Sequence, residues 1–164
     1  MISLTPVTLD GDELAEVHAV FASNPAYWRY SGDLDPGAVT PEAVEALVRG
    51  ELGQDGHEVL AARDESGVLV GYVEILLRHP RDKAPWIGFL MVHGERRGQG
   101  LGRAVADAAE ARLRDRGDTT VWLGVLETNT EAFGFWTALG YEEADRRPDV
   151  AKGRPTIVMR KSLI

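Results

Sequence analysis

Six residues, Arg97-Gly98-Gln99-Gly100-Leu101-Gly102, have the types and spacing to hold a phosphorylated ligand. They follow an apolar run, Trp86 to Val92, and open a helical pattern from Leu101 to Arg116. The first turn of a helix leaves backbone N–H groups unpaired, and its dipole favours negative charge there. Glycines let that backbone approach an anion with no Cβ in the way. Two nucleotide motifs are excluded by the spacing. No Gly-Lys-Ser/Thr ending of a Walker loop is present, and Arg103 stands where the dinucleotide fingerprint needs its last glycine. On this segment alone, a glycine-rich turn without a ligand remains the alternative.

A second segment narrows the reading. After an apolar strand, Thr119 to Leu126, comes Asn129-Thr130-Glu131-Ala132-Phe133-Gly134-Phe135-Trp136, closing on Leu139-Gly140-Tyr141. The Arg-x-x-Gly-x-Gly loop and this Asn-x-x-Ala segment, in this order and at this separation, resemble the Gcn5-related N-acetyltransferases. That resemblance covers residues 57–162 well and the N-terminal third only in outline. It implies acetyl-coenzyme A (acetyl-CoA) as cosubstrate; no His, Asp or Glu cluster has metal-ligand spacing, so no metal is expected. Leu90, Met91 and Val92 would offer backbone groups to the pantetheine amides, as an added strand does. Gly98, Gln99, Gly100, Leu101, Gly102 and Arg103 would bind the pyrophosphate through backbone N–H groups, with Arg96, Arg97 and Arg103 adding charge. Asn129 would lie near the pantetheine arm; independently, Asn is a good helix N-cap.

The catalytic residues are less plainly written. Many relatives carry Tyr where this chain has Trp136, and the indole N–H is a donor that does not titrate usefully. Trp136 is therefore expected as a wall of the site more than as an acid. A thiolate leaving group, with a thiol pKa of about 8.5, needs little help. Histone-acetylating relatives place a Glu near the position of Trp86, which this chain lacks. Glu74, in the strand Tyr72-Val73-Glu74-Ile75-Leu76, is the first candidate for the general base, and Glu127 the second. His79 and His93 titrate in a useful range, but each sits beside a turn and reads as surface. Tyr27, Trp28 and Tyr30, beside Asp33 and Asp35, are candidates to hold an ammonium group by cation–π contact; holding a loop against the core is the plainer alternative. Trp86 joins them on the substrate side.

The elements that must position these residues follow from periodicity. Ile2 to Leu9 reads as a strand, Glu13 to Phe21 as a helix stopped by Ser23-Asn24-Pro25, and Asn24 to Asp33 as a loop. Thr40-Pro41-Glu42 starts a second helix ending near Gly53. Glu58 to Arg63 and Val68 to Leu77 form a hairpin about Asp64-Glu65-Ser66-Gly67. Then come Trp86 to Val92, the helix to Arg116, Thr119 to Leu126, a helix over Asn129 to Leu139, and strands near 141–146 and 156–161. The expected fold is α/β: one domain over 1–164, with a mixed, mostly antiparallel sheet flanked by about four helices. Residues 1–56 would shape the acceptor site, and 57–164 would form the acetyl-CoA-binding core.

Composition agrees with an enzyme of this size. Hydrophobic residues make up 44% and charged residues 27% of the 164, ordinary values for a globular domain. A net charge of −8 argues against nucleic-acid or anionic-membrane binding and suits an amine partner. No stretch of about 18 apolar residues occurs, and no secretory signal is visible, so the cytoplasm is expected. With no cysteine, disulfides, thiolate metal sites and an acetyl-cysteine intermediate are ruled out. Direct attack of a small-molecule or peptide amine on the thioester is the economical mechanism. A non-catalytic acyl-CoA sensor and a site for another nucleotide stay open as alternatives. Homodimerisation is expected only because it is common in the family.

Overall fold

The computed structural model describes residues 1–164. Strands β1 (Ser3–Pro6), β2 (His57–Arg63), β3 (Leu69–Leu76), β4 (Trp86–Val92), β5 (Thr120–Leu126), β6 (Glu142–Pro148) and β7 (Pro155–Ser162) form one seven-stranded sheet in the order β1-β2-β3-β4-β5-β7-β6. Every neighbouring pair is antiparallel except β4 and β5. Helices α1 (Glu13–Ala22), α2 (Pro25–Ser31) and α3 (Pro41–Leu52) precede β2. Helix α4 (Leu101–Arg116) joins β4 to β5, and α5 (Thr130–Ala138) joins β5 to β6.

Alternation along the strands divides the core in two. Val73, Ile75 and Leu60 face one side with Val105, Ala109 and Leu113 of α4 and Trp136 of α5. Tyr72, Val59 and Met91 face the other, with Val17, Val20 and Phe21 of α1, Trp28 of α2 and Val44 and Val48 of α3. Local signals fix the helix ends. Thr40 Oγ1 accepts from Ala43 N–H at the start of α3 (3.1 Å), and Asn129 Oδ1 accepts from Ala132 N–H at the start of α5 (3.1 Å). Gly117 closes α4 with φ +98°.

One expectation fails here. Asn24-Pro25 ends α1 but begins α2 at once, so Tyr27, Trp28 and Tyr30 lie on a helix rather than in a loop, and there are five α-helices. Proline stops a helix that precedes it and suits the first turn of one that follows. The first strand is also shorter than expected, at four residues.

The feature that matters for function is a parting of the sheet. β4 pairs with β5 only at Trp86↔Trp122 and Ile87↔Leu123. On its other edge β4 pairs Phe89 with Glu74 and Ile87 with Ile75, leaving Gly88 as an extra residue. Such a bulge bends its strand and increases its twist. From Gly88 onward β4 has no partner on the β5 side.

Candidate active site

The glycine loop sits at the mouth of this parting. A 3₁₀ turn (Gly94–Arg96) carries the chain from β4 to Arg97. Gly98 and Gly100 then adopt left-handed conformations, φ +79° and +76°, which side-chain-bearing residues rarely take. A Cβ at either would meet no protein atom within 4 Å, so both glycines present bare backbone outward. None of the N–H groups from Gly98 to Arg103 donates to an acceptor within the protein. The loop is thus a row of donors at the N-terminus of a 16-residue helix, with Arg97 and Arg103 exposed beside it. This geometry fits a pyrophosphate. Gly102 also serves packing. A Cβ there would lie 3.1 Å from the Phe135 ring, so its absence lets α4 approach α5.

The β4 edge adds to the cradle. His93 N–H donates across to Val70 O (2.8 Å). By the alternation of an antiparallel pair, Met91 also turns its backbone to β3, while Leu90 and Val92 turn theirs toward the parting. Leu90 and Val92 are therefore placed to meet an extended ligand. Met91 is not: its backbone belongs to the sheet and its side chain to the core beside Tyr72. Asn129 caps α5, and its Oδ1 is committed to Ala132.

On the α1–α2 side of the parting lies a cleft of about 170 Å3. Trp86 and Gly88 of β4, Gly124 and Leu126 of β5, Tyr27 of α2, His79, and the β6–β7 hairpin all contribute to its wall. Among residues 1–56 only Tyr27 lines it. Of the substrate-side candidates, Tyr27 and Trp86 meet there, whereas Trp28 and Tyr30 do not. Trp28 is 1% exposed and donates its indole N–H to Phe21 O (2.8 Å); Tyr30 is 45% exposed to solvent. His79 is buried and not the surface residue expected. Its ring stacks on Trp86 with centroids 4.2 Å apart, and burial pushes its pKa down.

Sequence reasoning placed these two strands but missed that their hairpin walls the cleft. Arg154 donates to Asp149 and to the Ser31 carbonyl, and Lys152 pairs with Asp33 (2.9 Å), tying the hairpin to the end of α2. Arg147 is held by Asp82 and Asp145. Burial works against the charged form of Asp149, but N–H groups of Lys152 and Arg154 and the Arg154 guanidinium outweigh it and hold its pKa down. Only contact with Asp33, over a hundred residues away, reveals the tie.

The three catalytic candidates are dispersed. Glu74 does not line the cleft; it is 9% exposed on the same face as Tyr72 and accepts from its hydroxyl (2.7 Å). Burial, with the neighbouring Glu51 charge, raises its pKa to about 8. Glu51, His57 and Glu74 bring potential ligand atoms within 4.8 Å of one another, a grouping invisible in their spacing. A proton held by Glu74 near neutrality accounts for two carboxylates so close together. Glu127 is exposed at the end of β5, 3.7 Å from Arg146. Trp136 is 8% exposed and packs between Phe135 and Tyr141 in the core. The Tyr141 hydroxyl is engaged by buried Glu110 (3.0 Å).

The chain belongs to the acetyltransferase (GNAT) family, whose model matches residues 20–141. Solved structures agree in fold. An acetyltransferase from Thermus thermophilus superposes with a TM-score of 0.78 at 22% identity, covering 98% of this chain and 96% of that one. Spermidine N-acetyltransferase from Vibrio cholerae, in complex with CoA and spermine, gives 0.73 at 16% identity, covering 99% and 95%. The ribosomal-protein-S18-alanine N-acetyltransferase from Escherichia coli gives 0.63 at 17%, covering 99% and 94%. The protein is accordingly an acyltransferase, and no helix is long and apolar enough to cross a membrane.

Proposed function

We propose that the protein transfers an acetyl group from acetyl-CoA to a primary amine of a small molecule or peptide, by direct attack with both substrates bound. The observation that carries this reading is the run of unpartnered N–H groups from Gly98 to Arg103 beside the free edge of β4. The pyrophosphate binds those groups and Arg97, and the pantetheine amides pair with Leu90 and Val92. Asn129 contributes its free amide nitrogen. Acetyl-CoA supplies an activated thioester, and the cleft lined by Tyr27 and Trp86 brings the amine to it. In this reading residues 57–164 hold the cosubstrate, while the first 56 shape the acceptor side through Tyr27 and the tie at Asp33.

An amine with a pKa near that of lysine, about 10, arrives as ammonium and must lose a proton before it attacks. Glu74 is the base we favour: with its pKa raised to about 8 it is ionised, and able to take a proton, increasingly as the pH rises above neutrality. It acts through Tyr27 or a water, since it does not line the cleft. Burial raises the Tyr27 hydroxyl above its ordinary range, so Tyr27 passes a proton without ionising. The thiolate needs no dedicated acid, and Trp136 is a packing residue.

Calorimetric titration with acetyl-CoA, CoA, NAD and ATP tests the donor site. Micromolar binding confined to acetyl-CoA and CoA is expected. Binding of neither rejects the reading. A screen of polyamines, amino acids and peptide N-termini, followed by free-thiol release, then tests transfer; tight cosubstrate binding with no acceptor turned over favours an acyl-CoA sensor.

A further inference from the structure

Asn24, at the junction of α1 and α2, is 3% exposed and nearly all its hydrogen-bonding capacity is used. Its Nδ2 donates to Val20 O and to Val92 O, each at 2.9 Å. Its Oδ1 accepts from Arg97 Nη2 at 2.8 Å. Next to it, Ser23 Oγ accepts from Gly94 N–H (2.8 Å). This junction lies so close to the chain leaving β4 that a Cβ on Gly94 would fall 2.2 Å from Ser23 O. The acceptor-side helices are thereby bolted to the cofactor loop at three points.

We infer that Asn24 is a positioning residue for acetyl-CoA, acting through Arg97. Arg97 is half exposed, and its one other polar partner, Glu131, is 3.4 Å away on open surface. Such a pair is screened by solvent and holds a long side chain weakly. Asn24 is the buried partner that holds the guanidinium, and as a neutral amide it leaves the positive charge uncancelled. An aspartate there would accept the same bond and neutralise the charge the pyrophosphate needs. The second contact is complementary. With the Val92 carbonyl taken by Asn24, Val92 presents only its N–H to the parting.

This inference rests on the acetyl-CoA site proposed above, so its test is a double-mutant cycle in acetyl-CoA affinity, read by calorimetry. The four proteins are wild type, Arg97→Ala, Asn24→Ala and the double variant. Should the void in Asn24→Ala prevent folding, Asn24→Ser takes its place. Arg97→Ala is expected to weaken binding about tenfold, the low end for one charge-assisted hydrogen bond. The Asn24 variant is expected to weaken it five- to tenfold, and the double variant no more than about twofold beyond Arg97→Ala. A merely structural role for Asn24 predicts singles that multiply in the double variant, and that result overturns the inference. So does an Asn24 variant that binds as wild type does. Failure of wild type itself to bind overturns the acetyl-CoA site and the inference with it, and is read from the first titration alone.

Discussion

The two sides of the parted sheet are built from different materials. On the side we propose for the cofactor the groups on offer are backbone: N–H groups from Gly98 to Arg103 and the edge of Leu90 and Val92, with glycines that leave the loop bare. On the side we propose for the acceptor they are side chains: Tyr27, His79, Trp86, and arginines locked to Asp82, Asp145, Asp149 and Asp33. A backbone site depends on conformation and is destroyed by any side chain in the wrong place. A site of paired side chains depends on partners, and its specificity can change by exchanging them without touching the donor site.

Four substitutions press on that contrast, in decreasing order of expected effect. Gly100→Val puts a β-branched residue at φ +76° and covers the donor row. Acetyl-CoA binding is expected to fall at least a hundredfold while circular dichroism still shows a folded protein; a loss within about threefold rejects the loop assignment. Glu74→Gln should leave acetyl-CoA affinity unchanged and lower turnover at least tenfold. It also has a stability signature. A carboxyl whose folded pKa is raised costs stability as pH climbs from the unfolded value, 4.5, to about 8, because only the unfolded chain then releases the proton. The Gln variant should therefore melt several degrees higher at pH 8 than wild type, and the gap should close below pH 4.5.

The third substitution, Arg154→Met, cuts the tie between the β6–β7 hairpin and α2. The KM for the amine is expected to rise about tenfold with the acetyl-CoA Kd within twofold; equal losses in both would mean the two sides are not separable. Trp136→Phe completes the series. As a packing change it should cost about 1 kcal/mol of stability and alter turnover less than threefold. A hundredfold loss of kcat would return Trp136 to the chemistry.

The same contrast explains what the sequence could and could not tell. Glycines at left-handed positions, the Asn129 cap and the apolar run of β4 are local signals, so the loop and the order of strands were legible. Helix α2 was not, because Asn24-Pro25 carries stop and start signals at once and seven residues are too few to show a period. Met91 was grouped with Leu90 and Val92, since a run of three names cannot show which way alternate amides turn. The Glu51, His57 and Glu74 cluster and the Arg154 tie join residues brought together only by the sheet. No spacing rule could have found them.

Parting a sheet also gives it more edges. The outer ones carry their own protection: β1 is four residues long and ends in Pro6, and β6 is lined with Glu142, Glu143, Asp145, Arg146 and Arg147 before Pro148. Charges and proline are what discourage one sheet edge from recruiting another. The inner edge of β4 reads Phe89-Leu90-Met91-Val92 and has neither; only the Asn24 amide, on the Val92 carbonyl, blocks it. A donor molecule lying along that edge would do for solubility what lysines do elsewhere. Protein stripped of it should associate more readily during concentration and storage, and acetyl-CoA should act as its stabilising excipient.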